Sequence, residues 1–205
     1  LYSTIYYQIQ NTQPPSVINM KILFVTNDPY PPKMAHGMRT FQFWRSLYKT
    51  GNEIEILNID SRNNTLLDKL RINGYNIPYI TLKNSFRLFN SKYDLIANMD
   101  PVILNLPAPV LSWMKKIPMI SDLQDPLNEW RVMNNLTTRH LFGNIFKQSQ
   151  FITTTHNLLK HELMDSFSID SDKIGVVHNG VDLSLFKPMI VEKKIDVVYT
   201  GSAFS

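Results

Sequence analysis

The chain has 205 residues, 43% of them hydrophobic and 19% charged, enough for one substantial core of roughly 100 to 200 residues. Cysteine is absent, which excludes disulfides, thiolate nucleophiles and cysteine-bound zinc and fits a cytoplasmic protein. The formal charge of +4 is modest, and no segment approaches the roughly 18 consecutive apolar residues of a membrane span.

In chain order, residues 1 to 19 are rich in Tyr, Gln and Ser with Pro14-Pro15, lack the pattern of a signal peptide, and read as a leader or linker. Met20 then opens a first core strand, Lys21 to Thr26. The loop that follows, Asn27 to Arg39, contains Pro29, Pro31 and Pro32 and reaches Gly37 just before a helix over Met38 to Lys49. Phe41, Trp44, Leu47 and Tyr48 recur at three- and four-residue spacing along that helix, and Gly51 stands where a left-handed cap belongs. Glu53 to Leu57 alternates charge with apolar residues, which predicts a strand nearer the sheet edge than the first.

Residues 61 to 92 carry Arg62, Lys69, Arg71, Lys83, Arg87 and Lys92 against Asp68 alone. With Leu66, Leu67, Leu70, Phe86, Leu88 and Phe89 nearby, two readings stand: a solvated helix with its core stripe, or a docking face for an anionic membrane. Within this stretch Pro78 to Leu82 reads as a strand. Further strands are predicted at Asp94 to Asn98, Pro118 to Leu123, Phe151 to Thr154 and Lys173 to Val177. Helical patterns fall between them at Pro109 to Lys116, Thr138 to Gln148 and Asn157 to Asp165. Six or seven strands alternating with helices is the βαβ rhythm of a parallel sheet, so the fold class is α/β. Beyond Phe186-Lys187-Pro188, the run Ile195 to Gly201 reads as the opening strand of a second α/β unit.

Two loops lie where an open α/β sheet places its ligand crevice, at the carboxyl ends of strands. In the first, Gly37 would let backbone N–H groups approach an anion at a helix N-terminus, or it serves only as a small residue ending a stiff loop. This is not the three-glycine dinucleotide fingerprint, which ranks a nicotinamide enzyme low. The second is Ile120-Ser121-Asp122-Leu123-Gln124-Asp125-Pro126. Carboxylates there can accept sugar hydroxyls, act as bases or stabilise positive charge, although Asp125-Pro126 also suits a plain turn. His156 and His161 are five apart, so a helix does not align them, and no metal is expected. His178 is expected to bond to backbone at a strand end.

The assembled pattern resembles the N-terminal domain of GT-B glycosyltransferases of the family 4 type. The resemblance rests on Met20 to Thr26, Pro31-Pro32 to Gly37, Tyr93-Asp94-Leu95-Ile96, Asp122-Leu123-Gln124-Asp125-Pro126, and Asn179-Gly180-Val181-Asp182 with Phe186 and Pro188. It implies a Rossmann-like parallel sheet flanked by helices over residues 20 to 188, then a linker and first strand of a truncated donor-binding domain over 189 to 205. It further implies a retaining, hexosyltransferase-type enzyme that moves a sugar from a nucleotide-sugar donor to a glycan or lipid-linked acceptor. Cell-envelope polysaccharide synthesis is the expected setting, at the cytoplasmic side, with peripheral membrane contact through residues 61 to 92 and no nucleic-acid partner.

By position, Asp125 resembles the residue facing the reacting sugar carbon, where it would stabilise or position rather than attack. His36, Gly37 and Arg39 resemble the loop near donor phosphates and acceptor, and Asp122 and Asn179 line the cleft. No cofactor or metal is implied, because the nucleotide sugar is a substrate. The chain departs from the family pattern at His36-Gly37, where many relatives have paired glycines, and at Gln124, where many have Arg or His. The nucleotide-gripping residues of the family would lie beyond Ser205, so the 205-residue chain alone is expected not to transfer sugar. Two other readings are a sugar-nucleotide epimerase of the same architecture and a non-catalytic Rossmann-like module that binds a sugar or protein.

Overall fold

A computed structural model describes residues 19–27, 35–59, 69–72, 75–81, 86–101, 105–127 and 135–180. The elements are β1 (Lys21–Thr26), α1 (Ala35–Lys49), β2 (Glu53–Asn58), β3 (Lys69–Ile72), β4 (Tyr75–Thr81), α2 (Phe86–Asn90), β5 (Leu95–Met99), α3 (Pro107–Lys115), β6 (Met119–Leu123), α4 (Leu136–Gln148), β7 (Phe151–Thr154), α5 (Asn157–Phe167) and β8 (Ile174–Val176). A 3₁₀ turn, Ser171–Lys173, precedes β8. The proposed leader, the second-domain strand and the 61–68 segment lie outside the described residues.

The strands form one sheet in the order β3-β4-β2-β1-β5-β6-β7-β8. All neighbouring pairs are parallel except β3 with β4, so the α/β, Rossmann-like expectation holds with one antiparallel edge strand added. That edge corrects the helical reading at Lys69–Ile72, which pairs antiparallel with β4, Lys69 opposite Pro78 and Ile72 opposite Tyr75; β4 contains the strand expected from Pro78, and Phe86–Asn90 is helical. Pro78 lacks an N–H, and the parallel ladder between β4 and β2 runs only over Tyr79–Thr81.

Period-two alternation divides the core between the two faces of the sheet. Leu23 and Val25 of β1 pack with Leu88, Leu111 and Ile145, which puts α2, α3 and α4 on one face. Ile22 and Phe24 pack with Trp44, Ile54 and Ile56, which puts α1 on the other. Toward β8, Phe142 and Phe146 of α4 and Leu159, Leu163 and Phe167 of α5 enclose Leu123 and Ile152. The stripe on α1 behaves as its spacing requires: Phe41 meets Trp44 edge to face at 4.9 Å, and Gly51 after the helix has φ 93°. Asn52 then accepts from the Met20 N–H and donates to the Leu47 carbonyl, fastening the helix end to the start of β1.

Two caps are built from residues that resemble signals of another kind. Asn135, a glycosylation-type sequon by sequence, accepts from the N–H groups of Thr137 and Thr138 and caps α4. His156 caps α5, its Nδ1 accepting from the Leu159 N–H at 3.2 Å.

The alternating charges of β2 are explained by their partners. Glu53 is exposed, whereas Glu55 is buried and accepts the Tyr93 hydroxyl at 2.6 Å; Lys21 Nζ lies 2.9 Å from Glu53 and 3.7 Å from Glu55. Burial, and then the hydrogen bond to Glu55, raise the Tyr93 phenol above its ordinary value, while the hydrogen bond to Glu53 is the largest influence raising the Lys21 ammonium. Both groups hold their protons more tightly when folded. Their contribution is therefore complete below pH about 10 and is lost as pH climbs through the raised folded values. Tyr93→Phe is expected to cost about 1–3 kcal/mol at neutral pH. It is also expected to flatten the loss of stability above pH about 10, read from urea midpoints on both sides of that value. An unchanged alkaline slope in the variant would assign the loss to other groups.

Candidate active-site cleft

The strand order reverses between β1 and β5, so the sheet has its topological switch point there, beside the carboxyl ends of β1, β5 and β6. Thr26 and Asn27 end β1, and α1 starts at Ala35 with Gly37 buried in its first turn. After β5, Asp100 takes a left-handed φ of 52°, donates its N–H to the Asp122 carbonyl at 2.8 Å, and is followed by Asn105, whose amide donates to the carbonyls of Met99 and Asp100. A non-glycine residue in that region stores strain, and its retention at a strand end is typical of loops shaped for binding.

The strongest polar assembly here is centred on Arg39. Its Nε and Nη2 donate to the two oxygens of Asp122 at 2.9 and 2.8 Å, a bidentate pair that is almost wholly buried. Nη1 donates to the Val177 carbonyl at 2.8 Å and to Asn179 Oδ1 at 3.1 Å, and the guanidinium lies 4.8 Å from the centre of the Phe43 ring. The Thr153 hydroxyl also donates to Asp122. The Arg39–Asp122 pair thus joins α1, β6, β7 and the segment leaving β8.

The residues singled out by sequence separate accordingly. Arg39 and Asp122, 83 positions apart, are brought together and neutralise one another; Asn179 is held by the same guanidinium. Gly37 lies two residues before Arg39, and only its burial and helical position are described, as is the helical position of His36. Asp125 is apart from this group: it is exposed on the bend after β6. Its loop is fixed on both sides, because the Thr155 hydroxyl donates to the Gln124 carbonyl at 3.1 Å and Glu162 accepts from the Leu127 N–H at 3.2 Å. His178 Nδ1 meets the Thr155 carbonyl at 2.9 Å, the backbone contact expected of it.

Other polar groups at these strand ends were given no role by the sequence reading, which noted Gln124 only as a departure from the family pattern. The amide of Asn98 is buried in β5 with neither its nitrogen nor its oxygen hydrogen-bonded, and Gln124 Nε2 and Asn27 Oδ1 are likewise buried and unsatisfied. Buried amides without a protein partner are unusual. Polar residues inside or just beyond otherwise apolar runs were their only sequence signal. The described residues contain no group of three or more His, Asp or Glu placed to hold a metal ion, and no helix among them is long and apolar enough to cross a membrane.

No protein-family model matches the chain, and no curated protein matches it. Solved structures do. Anabaena HepE in complex with UDP-glucose superposes with a TM-score of 0.62 at 16% identity, and HepE in complex with UDP and glucose with 0.61 at 15%; each match covers 82% of this chain and 46% of the other. The UDP-GlcNAc 2-epimerase of Methanocaldococcus jannaschii gives 0.53 at 15% identity, covering 78% of this chain and 45% of the epimerase. The chain therefore spans somewhat less than half the length of these structures and shares with them the Rossmann-like fold.

Proposed function

We propose that the chain is the acceptor-side, N-terminal half of a GT-B glycosyltransferase of the family 4 type. In this reading it moves a hexose from a nucleotide sugar to a glycan or lipid-linked acceptor with retention of configuration. The observation that supports it most is the fold match over 82% of the chain to a protein bound to UDP-glucose. The switch-point cleft, with an exposed carboxylate at its rim, is consistent with it. The donor would be gripped mainly by a second domain that follows in the chain, and no metal or cofactor takes part.

Asp125 is assigned the role of stabilising or positioning the reacting sugar, because its carboxylate is exposed on a loop tethered through Gln124 and Leu127. Gly37 is assigned to backbone contact with the donor phosphate or acceptor, alongside His36. Arg39, Asp122 and Asn179 shape the cleft wall through their mutual bonds, and the unsatisfied amides of Asn98 and Gln124 suit sugar or acceptor hydroxyls. A cytoplasmic setting for cell-envelope polysaccharide synthesis fits this assignment.

The superposition with an epimerase favours a second reading, inversion within the nucleotide sugar itself. The full-length protein, incubated with UDP-sugars, separates the two. Transfer releases nucleotide and glycosylates an added acceptor, whereas epimerisation changes the sugar with no acceptor present. Asp125→Asn is expected to lower turnover about a hundredfold or more with an unchanged unfolding midpoint. Equal turnover in wild type and variant would remove Asp125 from the chemistry, and neither activity with any nucleotide sugar would leave the binding-module reading.

A further inference from the structure

Helix α3 has two apolar stripes where one is sufficient for its packing. Ala108, Leu111 and Ser112 face the sheet, while Val110, Trp113 and Met114, at the i, i+3, i+4 spacing of a second face, point outward; the Trp113 side chain is 76% exposed. Phe89 of α2 is exposed beside them, and Lys115 Nζ binds the carbonyls of Leu88 and Ser91, locking α2 against α3. On the other side Gln148 Nε2 donates to the Pro109 carbonyl at 2.8 Å, locking the end of α4 against the start of α3. An apolar groove of about 360 Å³ runs between α2 and α3, bordered by Phe89, Leu106, Pro107 and Val110. None of the cleft residues lines it.

Charge on this surface is one-sided. The described residues 86–93, 105–121 and 135–150, which make up the three helices and their flanks, contain Arg87, Lys92, Lys115, Lys116, Arg139 and Lys147 and no Asp or Glu. All but Lys115 are exposed. The rest of the chain carries a small acidic excess, so the entire positive balance of the protein resides here. An outward apolar stripe with an interfacial Trp, on helices that contain basic residues and no acids, has the composition of a surface that lies in the headgroup layer of an anionic bilayer. A second copy is disfavoured as occupant, because a two-fold contact through this face would set like charges against one another.

We propose that the α2–α3–α4 face docks on an anionic lipid bilayer, with Trp113, Met114, Val110 and Phe89 entering the interface and Arg87, Lys92 and Lys116 meeting lipid phosphates. The contact is thus carried by three helices, including only the 86–92 end of the basic segment noted in the sequence. It depends on the surface alone and stands whether or not the sugar-transfer reading holds.

The test is cosedimentation of the chain with vesicles of phosphatidylcholine alone and of phosphatidylcholine with phosphatidylglycerol, together with quenching of tryptophan emission by brominated acyl chains. Binding to the anionic vesicles only, weakened by salt, and quenching abolished by Trp113→Phe are expected. Reversal of Arg87, Lys92 and Lys116 to Glu, with circular dichroism unchanged, is expected to weaken binding on the order of a hundredfold, about fivefold or more for each group. Absence of sedimentation with anionic vesicles at low salt, equal binding to neutral ones, or self-association abolished by Trp113→Ser would each overturn the proposal, the last by naming a second copy as occupant.

Discussion

Replacing Arg39 by Ala is expected to destabilise the fold by about 3–5 kcal/mol, a large share of the 5–15 kcal/mol typical of a domain. The loss comes less from the missing attraction than from what remains. Asp122 has a side chain only 3% exposed, and without the guanidinium its charge is left with the Thr153 hydroxyl as its side-chain partner. Arg39→Lys is expected to recover only part of the loss, because an ammonium cannot reproduce the planar fork that contacts both carboxylate oxygens and still reaches Val177 and Asn179. Removing both charges, as in Arg39→Met with Asp122→Leu, is expected to be markedly less damaging than Arg39→Ala alone. Urea unfolding of these variants, with Arg39→Met and Asp122→Leu alone to close the double-mutant cycle, supplies the comparison. Additive effects in the double variant would mean that the pair is not energetically coupled.

Phe146→Ala is expected to cost about 3–5 kcal/mol as well, by a different route. The ring is fully buried, with Phe142 at 6.4 Å and Phe167 at 5.5 Å between ring centres, and it packs in the cluster that holds Leu123 at the end of β6. Truncation leaves a cavity between α4, α5 and the sheet. Because Leu123 leads directly into Gln124 and Asp125, the variant is also expected to bind any ligand of the cleft less tightly at temperatures where it remains folded. A loss below about 1 kcal/mol in urea unfolding would show that the surrounding helices collapse onto the space.

The helical reading of 61 to 92 failed at Lys69–Ile72, which is a strand, while Phe86–Asn90 is helical with Leu88 buried, and the failure has an identifiable reason. Leu66, Leu67 and Leu70 have helical spacing, and the basic residues around them resemble a solvated face. The competing signal was Asn73-Gly74, a dipeptide strongly favoured in two-residue hairpin connections, between Leu70-Arg71-Ile72 and Tyr75-Asn76-Ile77, both of which alternate. The hairpin prevails because its register places β4 beside β2, extending the sheet beyond what a helix would allow. The proline of β4 does not prevent this, since its missing N–H falls where the ladder with β2 has not begun.

The cleft was legible in part. Acidic residues at strand ends and a loop ending at Gly37 pointed to the carboxyl edge of the sheet, where β1 and β6 do end, because crevice position follows from strand direction. Residue chemistry alone did not distinguish Asp122 from Asp125, however; only the family resemblance gave them different roles. They have the same chemistry and lie three residues apart, but Asp122 belongs to β6 on the face covered by α1, whereas Asp125 lies past the strand end.

Sequence by itself determined the α/β class, the core strands and the helix stripes, because each depends on local periodicity and turn chemistry. Only the tertiary structure decided that Arg39 meets Asp122, that Glu55 accepts a hydrogen bond from the distant Tyr93, and that three helices whose segments and flanks carry six basic residues pack on one side of the sheet. Those outcomes join positions tens of residues apart, and what brings them together is the order in which the strands enter the sheet.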